Sequence, residues 1–345
     1  MALPSSGAIS LNNVNVELGL TATAQISMND AAVRTLFGVA SGAIGMNNGY
    51  GKSNRVSVTV TLASNTTDYT LGTAQIPGYI AGKTDVTLVV DNGVYVYSTN
   101  TANAGLTIAT LNAADTVSIV NNGYIIGMGG AGVLRNNGTS GGPALSITRN
   151  ITITNNSYIA GGGGGGGGLH GKLNGGYGGS SGGGGAGGGS AIGGNGGTDG
   201  GPGEQGTTGV YIWNSGAGTG YAGGGGGGRI LPGVGGPTNT ATHAFGSGTQ
   251  VLNNGGGAGG AGGAVAYFTY PGIGQAGGSA NNPGTSATDT DKPSTGGGGG
   301  WGAKGGDGPL WNSIKYTGGA GGKAVNLNGF TVTWLATGTR WGAIS

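Results

Sequence analysis

The chain has 345 residues and a formal net charge of only +2, with charged residues making up 7%. So small a charge argues against a nucleic-acid polyanion or an anionic membrane surface as partner. With no cysteine there is no disulfide framework and no thiolate metal site. Glycine is the dominant residue, at 91 positions, of which 12 fall in residues 1–120 and 79 in the rest. These lie in solid blocks with few prolines, which excludes collagen.

Residues 1–53 read as a compact opening segment. It lacks a basic stretch followed by an apolar core, and no run of about 18 apolar residues follows, so a soluble protein made in the cytoplasm is expected. In ISLNNVNVEL, Ile9 and Leu11 share one alternation phase and Val14, Val16 and Leu18 the other, which predicts two strand pieces around Asn12 and Asn13. Next, Ser27 is expected to cap a short helix through Leu36, with Asp30 near its N-terminal end and Gly38 just past its C-terminal end. The stretch GMNNGYGKS ends in Gly-Lys-Ser, but Gly45 is one residue too far away for a phosphate loop.

Residues 54–120 read as a small β-domain. RVSVTVTL alternates cleanly, and TDVTLVV, the turn Asp91-Asn92-Gly93 and VYVYS together predict a hairpin. LTIAT and DTVSIVNNGYII continue the pattern. A repeat then appears: VSIVNNGYIIGMGG (117–130) matches ITITNNSYIAGGGG (151–164) at an offset of 34 residues, and the C-terminal FTVTWLATGTRWGAIS echoes the strand part. In this unit a short strand delivers the chain into a glycine run.

From 121 to 345 the glycine runs dominate. A polyproline-II-like glycine helix has three residues per turn and no internal hydrogen bonds, so every N–H and C=O needs an outside partner. Neighbouring glycine helices can supply them, and a helix surrounded on all sides has no room for a Cβ. Gly161–Gly168 is therefore expected to be a central helix of about 25 Å. Many such runs together can offset an ordering cost of roughly 1 to 2 kcal/mol per residue.

If successive runs alternate direction, the connections 133–140, 169–174, 207–222, 264–271 and 309–317 share the end far from the strands. The connections 144–160, 190–192, 229–254 and 279–295 and the tail from Lys323 take the near end. Tyr211, Trp213, Tyr221, Tyr267, Phe268, Tyr270, Trp311 and Tyr316 then crowd the far tip, as either a binding surface or a plug over the lattice ends. The two histidines, His170 and His243, fall at opposite ends, and neither has an acidic neighbour in sequence. No pair of carboxylates suggests glycan cleavage, so neither catalysis nor a cofactor or metal is expected.

The β-rich part ending in VSIVNNGYIIGMGG, the glycine runs with aromatic loops and the closing GGKAVNLNGFTVTWLATGTRWGAIS resemble the glycine-rich receptor-binding adhesins at bacteriophage tail-fibre tips, best described in T-even-like long tail fibres. The resemblance covers roughly Asp85 to Ser345. The opening LPSSGAISLNNVNVELG with MNDAAVRTLFG looks instead like the start of various phage tail proteins. The resemblance implies a mostly β and irregular fold with a polyglycine-II helix sandwich, located on the virion, whose distal loops attach to an outer-membrane protein or surface glycan of a Gram-negative host. Contacts would fall on the far-tip aromatics, with His170, Lys172 and Lys315 supplying charge at the rim. Residues 1–53 would dock on another tail or tail-fibre protein. The competing expectations are a tail or decoration protein without a receptor, and an ice-binding polyglycine-II protein.

Overall fold

The computed structural model describes residues 2–133, 136–168, 282–287, 296–310 and 314–345, together with the backbone of Trp311 and of the strands between 169 and 295. The chain divides into two compact units. One holds residues 1–60, 73–87 and 111–117, the other 61–72, 88–110 and 118–345.

The opening residues form a small core of their own. Leu3, Val14, Val33, Leu36 and Phe37 are buried, with Ile9, Leu18, Ile26, Met28, Val39, Ile44 and Met46 packed against them. Helix α1 spans Leu11–Glu17, where alternation predicted strand. Ser10 is its N-cap: the Oγ accepts from Asn13 N–H at 3.2 Å, while Asn13 Oδ1 accepts from Ser10 N–H at 2.9 Å. This capping box satisfies donors at the helix start. Asn15 is buried at 1% exposure and donates to the carbonyls of Ala22 and Ala24. Helix α2 spans Ala31–Phe37 and ends, as expected, on Gly38 in the left-handed region at φ 71. Its N-cap is Asp30 rather than Ser27, because the Asp30 carboxylate takes the Ser27 N–H in the turn before the helix.

The β-structure follows from a chain that visits three sheets in rotation. The first coil gives β1 (Val56–Leu62), β2 (Thr66–Thr67) and β3 (Tyr69–Leu71). The second gives β4 (Thr84–Val90), β5 (Tyr95–Tyr97) and β6 (Leu106–Ile108), and the third β7 (Thr116–Asn121), β8 (Tyr124–Ile126) and β9 (Leu145–Ile147). After β10 (Ile151–Asn155) and β11 (Tyr158–Ala160) comes a long excursion. Its described strands are β12 (Leu169–Leu173), β13 (Gly176–Ser180), β14 (Tyr211–Ser215), β15 (Gly218–Gly220), β16 (Thr240–Phe245), β17 (Gly248–Asn253), β18 (Ala264–Val265), β19 (Gly272–Gly274), β20 (Ser294–Thr295), β21 (Leu310–Trp311) and β22 (Ile314–Lys315). The chain returns as β23 (Val325–Asn326) to complete the fourth coil, and β24 (Val332–Ala336) with β25 (Thr339–Trp341) makes a fifth.

The sheet orders are β1-β4-β7-β10-β24, β2-β5-β8-β11-β25 and β23-β9-β6-β3, the topology of a parallel β-solenoid. The hairpin expected at Asp91-Asn92-Gly93 does not form. The turn is made, with Gly93 at φ 78 and Val94 N–H on Asp91 O, but it is a corner that passes the chain from β4 into the next sheet. Alternating strands look the same locally in either case; parallel neighbours need a long crossover, which here is the rest of a coil.

The 34-residue repeat is successive coils in register. Ser118 pairs with Thr152, Ile119 with Ile153, Asn121 with Asn155 and Tyr124 with Tyr158. Identical positions therefore stack: Val96, Ile125 and Ile159 form one fully buried column, Leu106, Leu145 and Val325 another. Asn121 Nδ2 donates to Asn155 Oδ1 at 2.8 Å, and Asn155 Nδ2 to the Thr337 carbonyl at 2.8 Å, so each buried amide ties one coil to the next. Tyr95, Tyr124 and Tyr158 stack with ring centroids 4.5 and 5.5 Å apart, and Trp341 extends the row. The C-terminal echo is the fifth coil, with Ile151 opposite Val332 and Ala160 opposite Trp341.

Glycine segments leave the third and fourth coils between their second and third strands. Gly161–Gly168 bonds sideways at three-residue intervals. Gly162, Gly165 and Gly168 donate to the carbonyls of Gly142, Thr139 and Asn136; Gly164 and Gly167 donate to those of Ala303 and Gly306. The carbonyls of Gly162 and Gly165 accept from Gly322 and Gly319, and those of Gly164 and Gly167 from Gly299 and Gly296. The carbonyl of Gly163 accepts from Gly130, and Gly161 N–H donates to Trp341 O, so six neighbouring stretches of chain bond to this one run. All eight glycines are buried.

Candidate functional site

The excursion carries the sequence-predicted contact residues, and its strands show how they are grouped. β12 to β17 form one six-stranded sheet in sequence order. His170 and Lys172 lie on β12, opposite Gly179 and Tyr177; Tyr211 and Trp213 lie on β14, opposite Ser180 and Gly178 of the shared neighbour β13. All four belong to one sheet, but the first two occupy registers that alternate with those of the second two. β12 also comes within 8 Å of β21, the strand of Trp311, Cα to Cα. Tyr221, Tyr267, Phe268 and Tyr270 lie outside the described residues.

The alternation of directions fails at two points. Residues 296–308, expected as one run, double back at Trp301 and Gly302: Gly296 and Gly299 donate to the carbonyls of Gly167 and Gly164, which donate in turn to Gly306 and Ala303. Residues 282–287, expected in a near connection, bond alongside through Gly284 N–H to Lys304 O and Gly300 N–H to Asn282 O. Connection 229–254, assigned to the near end, contains β16 and β17, which join the same sheet as β12 and β14 through the pair Thr219 and Ala244. His170 and His243 therefore share a sheet rather than facing opposite ends. The residues THAFGSGTQVLN complete a two-stranded ladder that extends an existing edge, and a count of glycine runs contains no term for that pairing.

Strands β21 and β22 form a short hairpin, where Leu310 pairs with Lys315 and Trp311 with Ile314. Leu310 and Ile314 are exposed, at 52% and 43%, and neither was singled out by an aromatic-based reading of the sequence. Tyr316 is half-buried, and its carbonyl accepts from Gly308 N–H at 2.7 Å across the base of the hairpin. Lys315 is exposed, and its Nζ lies 3.0 Å from an Asp307 carboxylate oxygen.

Asp307 gathers several donors. Lys304 Nζ stands 2.7 Å and Gly318 N–H 3.0 Å from Oδ1. Burial pushes its pKa up, but the hydrogen bonds from Lys304, Gly318 N–H and Lys315, with the Lys304 charge, outweigh this and hold the carboxyl at about 2. A carboxyl depressed on folding stabilises the fold above its unfolded pKa and loses that contribution as pH falls through the folded value. Acid titration of the purified protein, followed by amide exchange at 308–318, is therefore expected to show this hairpin loosening between roughly pH 4 and pH 2. Protection that stayed constant across that window would remove Asp307 as its support.

Residues 57–223 match the family model described as phage tail fibre adhesin Gp38. Among solved structures, the crystal structure of the gp37-gp38 adhesin tip complex of the bacteriophage S16 long tail fiber is similar at 17% identity and a TM-score of 0.40, over 99% of this chain and 100% of that one. No curated protein matches. The family match supports a tail-fibre tip adhesin, a binding protein of the virion tail.

Proposed function

We propose that this protein is a phage receptor-binding adhesin in which the solenoid carries a sandwich of polyglycine-II helices, and the excursion's loops attach the tail to a bacterial outer-membrane protein or surface glycan without chemistry. The observation that carries the reading is the lateral bonding of Gly161–Gly168 at three-residue intervals to the segments around it. Three residues per turn and outward-facing donors are what a polyglycine-II helix requires. Such a lattice is rigid, and rigidity lowers the ordering cost of presenting binding loops. The contact surface comprises Tyr211, Trp213, Tyr221, Tyr267, Phe268, Tyr270, Trp311 and Tyr316 with His170 and Lys172; Leu310 and Ile314 are added to it for their exposure, and Lys315, expected at its rim, is paired with Asp307.

Residues 1–53 are proposed as the virion-attachment segment, 54–120 as a spacer and 121–345 as the adhesin part. Support for the first comes from its separate small core and the exposure of Leu11, Val16, Leu20 and Tyr50, at 38 to 54%. To test the function, loops 207–222 and 309–317 are exchanged with those of a related adhesin of different host range. Adsorption should follow the donor of the loops. Adsorption that followed the scaffold, or purified protein that neither bound host cells nor blocked infection, would favour a purely structural tail protein.

A further inference from the structure

We infer that Asp307 is a positioning residue that presents the 308–317 hairpin for attachment, and that Lys315 acts through it rather than as a free charge for the receptor. The inference rests on the adhesin reading. Two paired residues per strand make a ladder that is marginal without outside support, so something must hold this hairpin. Asp307 is the residue before the chain enters it and Gly318 the residue after it leaves. One carboxylate joins both points, since Gly318 N–H and Lys304 Nζ bond to Oδ1 while Lys315, on the returning strand, reaches Oδ2.

The aspartate is fixed in turn. Its N–H donates to Ser286 Oγ at 2.9 Å and its carbonyl accepts from Ala287 N–H at 2.8 Å, so it is tied to the neighbouring segment 282–287 as much as to its own. On the exit side, Thr317 N–H donates to Asn137 Oδ1 at 2.8 Å and Thr317 O accepts from Gly138 N–H at 2.9 Å. The carboxylate side chain is 16% exposed, whereas Lys304 and Lys315 are 51% and 46% exposed. Such an arrangement fixes the ends of the loop and leaves Leu310 and Ile314 in solvent. A preformed loop binds better because less ordering remains to be done on contact.

The test uses full-length protein carrying Asp307→Asn, Lys315→Met or both, with two readouts: binding of fluorescently labelled protein to host cells, and amide exchange at 308–318. Each single variant is expected to bind about ten-fold more weakly, equivalent to about 1.4 kcal/mol, with faster exchange at Gly308 and Gly318. The double variant should be no worse than Asp307→Asn, because both changes break one strut. Lys315→Met that weakens binding by the same factor with or without the carboxylate, and leaves exchange unaltered, would overturn the inference and make Lys315 a direct contact. If wild-type protein binds no host cell, the adhesin reading fails on its own, and the exchange rates still decide whether Asp307 holds the hairpin. Should Asp307→Asn not fold, Lys315→Met, at an exposed position, carries both readouts.

Discussion

Gly164→Ala is expected to destabilise the glycine-rich part by more than about 3 kcal/mol, the range reserved for changes that a packed structure cannot absorb. A Cβ built on Gly164 would stand 1.9 Å from the carbonyl oxygen of Gly319 and 2.5 Å from its carbon. Neither atom can step aside freely. Gly319 O already accepts from Gly305 N–H, and Gly319 N–H donates to Gly165 O. Moving that strand of chain breaks buried backbone bonds, each costing about 1 to 3 kcal/mol when left unmade. Gly162 is equally enclosed, with a Cβ 1.8 Å from Met128 O. Gly93→Ala is the contrast: nothing lies within 4 Å, and only its φ of 78 opposes a side chain. That change should cost about 1 to 2 kcal/mol. Denaturant melts of the three proteins would rank them, and a Gly164→Ala protein as stable as the wild type would mean that the glycine segments are not packed as described.

Trp301→Ala should cost about 3 to 5 kcal/mol, as for other fully buried large aromatics. Trp301 is 0% exposed and packs with Ile126 and Ala160, against the half-buried Tyr95, Tyr97, Tyr124, Tyr158 and Trp341. It thus seats a glycine-rich segment on the tyrosine row of the solenoid. Gly302 follows at φ 63, where a Cβ would strike Gly342 N at 2.4 Å, so the turn behind the indole is equally tight. Among the described residues the indole Nε1 has no hydrogen-bond partner. Trp301→Phe should therefore lose packing volume but no polar contact, and cost less than half as much. The thermal midpoint of each variant checks this; an unchanged midpoint for Trp301→Ala would place the seam elsewhere.

Aromatics between glycine blocks are conspicuous in a sequence, and Tyr211, Trp213 and Trp311 fall on strands of the excursion, whereas Tyr221, Tyr267, Phe268 and Tyr270 lie outside the described residues. Leu310, Ile314 and Asp307 were not legible in this way. Two aliphatics and one acid carry no signal until a two-residue ladder exposes the first two and the chain's entry and exit meet at the third. Trp301 shows the converse: an aromatic inside a glycine stretch looks no different from one at a loop tip, and only packing makes it core.

What the amino-acid order determined by itself was periodic and local. Alternation gave the strands from 56 to 120, the 34-residue echo marked equivalent positions, Gly38 ended a helix, and eight bare glycines at 161–168 required neighbours too close for any side chain. Which neighbour each stretch met was decided only in three dimensions. Alternating Val14, Val16 and Leu18 suit a strand equally well, until the Ser10 and Asn13 cap and the burial of Asn15 select a helix. β4 and β5 could have folded back on each other, but each pairs with its counterpart in the next coil, because stacking like residues buries a continuous core. Glycine runs carry the least address of all: backbone hydrogen-bonding groups are identical from one residue to the next, so the side chains at their ends set where each run goes.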